Sequence, residues 1–185
     1  MAERPARAFR VEPLDPKRHD RSIFACGVED LDAYLKTQAL QDIRRKANAV
    51  FVLVPVATPN RIIGYFTLCA YGLAQGDVTE AARKHVPRYP LVSATLIGRL
   101  AIAREHQGQG LGSMLLARAL RQAYDSAATV GSSMVVVDAI GEGAARFYES
   151  HGFARLPESM RLVLPMRSIG SMIEPHSAPS PGDAT

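Results

Sequence analysis

Ile97-Gly98-Arg99-Leu100-Ala101-Ile102-Ala103-Arg104-Glu105-His106-Gln107-Gly108-Gln109-Gly110-Leu111-Gly112-Ser113 is the stretch that decides how this chain folds. Its first part is aliphatic and reads as a strand over Ser93 to Ala103. Beyond Gly112, Leu115, Leu116, Ala119, Leu120 and Ala123 recur at the steps of one helical face up to about Ala127. A strand therefore runs into a glycine turn that opens a helix. Glycine removes the Cβ atoms that would hold a phosphate away from the backbone, and the first amides of a helix have no internal partner. The helix end adds about half a positive charge, so several amides can converge on one pyrophosphate without a lysine.

Two other phosphate-binding patterns fit less well. A P-loop requires Gly-Lys-Ser/Thr, which this turn lacks. A dinucleotide fingerprint needs Gly-x-Gly-x-x-Gly early in a βαβ unit with an acidic residue at a later strand end. Here the glycines are 108, 110 and 112, the turn lies in the second half of the chain, and Asp125 falls on or just past the helix.

Working outward, Leu31, Tyr34, Leu35, Ala39 and Ile43 mark one amphipathic helix over Val28 to Ala47, with Arg44, Arg45 and Lys46 against its negative end. Ala49 to Val56 and Ile62 to Leu73 are strand runs joined by a turn at Ala57-Thr58-Pro59-Asn60. Gln75 to Pro90 is a polar, basic excursion with one helical stretch at most. Ser133 to Ala139 is a strand, Gly143 to Ser150 a short helix ending at Gly152, and Met160 to Met166 a last strand. Phe9 to Leu14 can form a first strand. The pattern predicts an α+β domain over residues 21–167, with helices on both faces of a mixed sheet. Residues 1–20 form an N-terminal extension, and the Ser, Pro, Gly and Ala composition of residues 168–185 predicts a disordered tail.

The chain has 185 residues, 47% of them hydrophobic, which suits one domain with a core of its own. Cys26 and Cys69 lie far apart with no His completing a zinc pattern, so neither a disulfide framework nor a metal is expected. Met1 to Arg10 lacks the apolar core of a secretory signal, and no run approaches the roughly 20 apolar residues that cross a bilayer. The reading is a cytoplasmic protein without membrane insertion. A net charge of +4 is modest, but the cations bunch at Lys17, Arg18 and Arg21, at Arg44 to Lys46, and at Arg83, Lys84 and Arg88. That bunching favours a polyanionic ligand.

Gln107-x-x-Gly110-x-Gly112 resembles the acetyl-CoA signature of the GNAT N-acetyltransferases, Gln/Arg-x-x-Gly-x-Gly/Ala. The resemblance implies acetyl-CoA as co-substrate, its pyrophosphate on the amides of Gln107, Gly108, Gln109, Gly110, Leu111, Gly112 and Ser113. It also implies pantetheine pairing along Leu100, Ala101 and Ile102, where the family's six- or seven-stranded mixed sheet splays between about four helices. Phe147-Tyr148-x-x-x-Gly152-Phe153 is similar to the second half of these domains, which assigns Tyr148 beside the coenzyme's sulfur as general acid. A phenol with a reference pKa near 10 is protonated at neutral pH and can donate. The oxyanion donor implied is a backbone amide near Ala101 or Ile102. Glu105, His106 and His151 are the candidates for a general base.

Phe24-x-Cys26-Gly27, Leu31-Asp32-x-Tyr34-Leu35, Gln41-Asp42, Gly98-Arg99-Leu100-Ala101, Val137-Asp138-Ala139 and Arg161-Leu162-x-Leu164-Pro165-Met166 together resemble the toxin branch of these enzymes. That branch acetylates the α-amine of aminoacyl-tRNA to block translation, pairs with a ribbon-helix-helix antitoxin and is usually a homodimer. An esterified amino acid has an amine less basic than a free terminus of about 8, so it needs a base less than lysine does. Arg44, Arg45, Lys46, Arg83, Lys84 and Arg88 would then contact acceptor-stem phosphates. Two alternatives remain: an enzyme of this superfamily acting on a small-molecule amine or protein N-terminus, and a non-catalytic acetyl-CoA-binding regulator.

Overall fold

The computed structural model describes residues 8–174. One seven-stranded sheet runs in the order β1-β2-β3-β4-β5-β7-β6, from β1 (Phe9–Pro13), β2 (Ala49–Pro55), β3 (Gly64–Ala74), β4 (Leu91–Ile102), β5 (Met134–Asp138), β6 (Ala154–Arg155) and β7 (Arg161–Pro165). Every neighbouring pair is antiparallel except β4 and β5, which lie parallel over only Ala94–Ile97 against Met134–Val137. Beyond Ile97, strand β4 continues to Ile102 paired with β3 alone. The sheet is therefore split along that line, as a splayed mixed sheet requires.

Helix α4 (Leu111–Ala127) crosses one face and buries Leu115, Leu116, Ala119 and Ala123 completely. Its apolar stripe meets Phe66, Leu68, Ile97, Ile102, Val135, Val137, Leu162 and Leu164 in the main core. The opposite face carries two smaller clusters. Val50, Val52, Val54, Tyr65 and Ala101 pack under the N-terminal helix, while Val92, Ala94, Met134, Val136 and Val163 pack under the excursion between residues 75 and 90. Among the described residues no helix is long and apolar enough to cross a membrane.

The N-terminal helix and the tail need correction, whereas the excursion holds the single α-helical stretch expected of it. The helix anticipated over Val28 to Ala47 is α1 (Glu29–Ala33) and α2 (Ala39–Arg44) joined by a π turn at Tyr34–Gln38, and Lys46 ends it in the left-handed region at φ 59°. The excursion contains a short α3 (Glu80–Arg83) whose Thr79 side chain caps Ala82 N. The tail predicted from Ser168 begins later, because Met166–Ile173 forms helix α6 with Ile169 fully buried. Gly170 allows α6 close against α4, since a Cβ there would stand 3.0 Å from the Tyr124 ring. Residues 175–185 lie outside the described residues.

Candidate active site

The glycine turn forms as the sequence requires. Gly108 and Gly110 adopt φ of 75° and 78°, conformations that side-chain-bearing residues rarely hold. A Cβ at either would meet no atom within 4 Å, so their bare faces open outward rather than onto the core. Gly110 is the N-cap of α4 and offers no side-chain cap to the amides of the first turn. Leu111, Gly112 and Ser113 follow, their N–H groups lacking carbonyls four residues back inside the helix. An open glycine cradle with uncapped amides fits a pyrophosphate.

Gln107 does something that spacing alone did not reveal. Its Nε2 donates to Cys26 O at 2.7 Å and to Ile102 O at 2.9 Å, so the amide side chain fastens the turn to the end of β4 and to the 26–27 loop. That loop holds Gly27 at φ 96°, where a Cβ would collide with Arg104 at 2.9 Å. Cys26 N donates to Asp32 Oδ1, Tyr65 Oη donates to Leu31 O, and Phe24 meets Tyr65 edge-on. Thus the Phe24-x-Cys26-Gly27 and Leu31-Asp32 motifs buttress the glycine turn. Burial, with Asp32 beside it, pushes the Cys26 thiol up to about 11 and keeps it protonated.

Tyr148 lies on α5 (Gly141–Ser150), wedged between Phe147 and Phe153 at ring distances of 5.2 and 5.5 Å. It belongs to the core on the α4 face and is 8% exposed. Burial alone pushes its phenol up to about 12, so the hydroxyl holds its proton throughout the physiological range. The candidate bases are all engaged near the glycine turn. Glu105 pairs with Arg61, and His106 lies 3.8 Å from Glu105. His151 Nδ1 lies 2.7 Å from Phe147 O, and its Nε2 forms a hydrogen bond with Ser113 Oγ at 3.0 Å. His151 therefore ties the end of α5 to the start of α4.

Arg44, Arg45 and Lys46 are exposed at the end of α2, and Arg44 and Arg45 share a groove with Arg21 and Lys36. Arg21 and Lys36 also line an adjoining groove with Lys17 and Arg18. Arg83, Lys84 and Arg88 line a separate groove beside α3, where Arg83 also donates to Val78 O and Gly76 O. The helices and the excursion that carry these cations both cover the sheet face opposite α4, the helices over β2, β3 and the end of β4, and the excursion over the paired part of β4 and β5.

A strand that leaves its parallel neighbour, an uncapped helix start in an open glycine turn, and a protonated phenol nearby define an acyl-CoA-dependent acyltransferase. The chain belongs to the GNAT family: the model of the acetyltransferase (GNAT) domain matches residues 49–155. It is an N-acetyltransferase that uses acetyl-CoA as co-substrate. A tRNA-acetylating toxin of Mycobacterium tuberculosis is 30% identical over 155 residues, spanning 83% of this chain and 90% of that protein. A probable toxin TacT of Sinorhizobium fredii is 26% identical over 181 residues, spanning 94% and 99%. The solved structure of AtaT complexed with acetyl-methionyl-tRNAfMet superposes with a TM-score of 0.81 at 29% identity, covering 90% of this chain and 99% of AtaT.

Proposed function

We propose that this enzyme is the toxin of a toxin-antitoxin pair and acetylates the α-amine of aminoacyl-tRNA. The observation that carries the reading is the split between β4 and β5 in a sheet whose face opposite α4 is covered by elements bearing two cationic grooves. The toxins similar to this chain over nearly their full lengths support it.

Bound acetyl-CoA supplies an acetyl group activated as a thioester. The amides from Gln107 to Ser113 hold its pyrophosphate, and the free edge of Leu100, Ala101 and Ile102 orients the arm that leads to the reacting end. An amide of Ala101 or Ile102 donates to the carbonyl oxygen as negative charge develops there. Tyr148 keeps its proton on Oη, available to the departing sulfur. No dedicated base is required, because an aminoacyl ester has an amine substantially neutral at cellular pH, and the proton its nitrogen sheds as the C–S bond breaks restores the Tyr148 phenol that has protonated the departing thiolate. Arg44, Arg45 and Lys46 on one side and Arg83, Lys84 and Arg88 on the other contact tRNA phosphates. A ribbon-helix-helix antitoxin and a second copy of the chain complete the assembly.

Incubating the protein with labelled acetyl-CoA and total charged tRNA tests the reading. Label is expected on the aminoacyl group; label confined to small amines or peptides would transfer the assignment to the rival substrates.

A further inference from the structure

The two apolar clusters opposite α4 do not meet. Between them, along β3 and β4, lie Thr67, Cys69, Gly98 and Arg99. The ladder pairs Thr67 with Arg99 and Leu68 with Ile97, leaving Gly98 as one extra residue in β4. Such a bulge shifts the alternation of side chains. Ile97 accordingly sits in the α4 core, whereas Arg99 shares the opposite face with Ala101. This bulge lies one residue beyond the last pairing of β4 with β5, at the mouth of the split.

Arg99 is held there in an unusual way. Its guanidinium carbon stands 3.5 Å from the centroid of the Tyr34 ring. Tyr34 is buried and fixed in turn: its hydroxyl donates to Asp42 Oδ2 at 2.9 Å, and Asp42 also accepts from Gln38 Nε2 and Asn48 Nδ2. The π turn begins at Tyr34 and ends at Gln38, so the helix irregularity is what aims this ring. Among the described residues Arg99 makes no salt bridge, its flat face being spent on the stack while its N–H edges stay uncommitted. Beside it, the Thr67 hydroxyl is fully buried, has no partner, and lies 3.1 Å from where a Cβ on Gly98 would stand.

We propose that Arg99 is the acceptor-binding residue, receiving on its N–H fork the phosphodiester that adjoins the aminoacylated ribose. The inference rests on the aminoacyl-tRNA reading above. Tyr148 belongs to the core on the α4 face, so an amine reaching the split has the other face to enter by, and Arg99 stands at that entrance. A stacked guanidinium presents two parallel donors, which match a phosphodiester and discriminate against amines that carry no anion. Lysine has neither the plane nor the fork.

Steady-state acetylation of charged tRNA is compared with that of the methyl ester of the same amino acid, which lacks the phosphodiester. Arg99→Gln is expected to raise KM for charged tRNA about 10- to 100-fold while kcat stays within about threefold. Its rate on the methyl ester and its acetyl-CoA affinity by calorimetry should match the wild type, which also verifies folding. Arg99→Lys should recover only part of the affinity, Tyr34→Leu should reproduce the Arg99→Gln defect, and Tyr34→Phe should spare it. An unchanged KM in Arg99→Gln, or an equal loss on the methyl ester, overturns the assignment. Wild-type protein that leaves charged tRNA unlabelled overturns the function itself, an outcome separate from indifference to Arg99.

Discussion

In the proposed mechanism the Tyr148 hydroxyl must remain protonated, and its surroundings ensure that it does. Burial between Phe147 and Phe153 raises its pKa to about 12. Alkaline loss of activity below about pH 10.5 should therefore not arise from this phenol, which ultraviolet titration of wild type against Tyr148→Phe will check. Tyr148→Phe should lower kcat about 100-fold with acetyl-CoA affinity unchanged by calorimetry. The same shift bears on stability. The folded state holds the proton more tightly than the unfolded chain, whose tyrosine titrates near 10. The stability linked to this phenol is thus fully present below pH 10 and is lost as pH rises through about 12, which denaturant melts of wild type against Tyr148→Phe across that range will register.

At the level of elements, the glycine turn proposed to hold the pyrophosphate depends on a glutamine whose side chain is tied to Cys26 O and Ile102 O. Removing the two bonds from Gln107 Nε2 to Cys26 O and Ile102 O by Gln107→Ala should weaken acetyl-CoA binding by about 1 to 3 kcal/mol, measured by calorimetry. Gly110→Ala strains a left-handed N-cap at a position with open space around it, so about 1 to 2 kcal/mol of backbone cost should appear in thermal melts. The strand, turn and α4 were legible in the sequence because apolar periodicity and glycine spacing are local signals. Gln107 was legible as part of a motif but not as a fastener, since its partners Cys26 and Ile102 meet it only through the fold. The π turn left no mark because Tyr34 and Leu35 fit an ordinary helical stripe, and β6 is only two residues long.

For the whole molecule, the C-terminal boundary set by composition proved misleading. Ser168, Gly170 and Ser171 resemble linker residues, yet Met166, Ile169 and Ile173 alternate with them at helical steps and α6 docks on α4. Ile169→Ala should cost about 2 to 5 kcal/mol, seen as a clearly lower melting temperature. The placement of the two cationic grooves on one side of the sheet was likewise invisible before folding, because residues 36–45 and 75–88 are brought to that side by different strands. The four-residue parallel ladder between β4 and β5 joins a four-stranded half to a three-stranded half. So narrow a seam makes a ligand lodged in it a mechanical brace: amide deuterium uptake at residues 98–102 and 134–138 should slow together when coenzyme A is added, while β1 and β2 exchange as before.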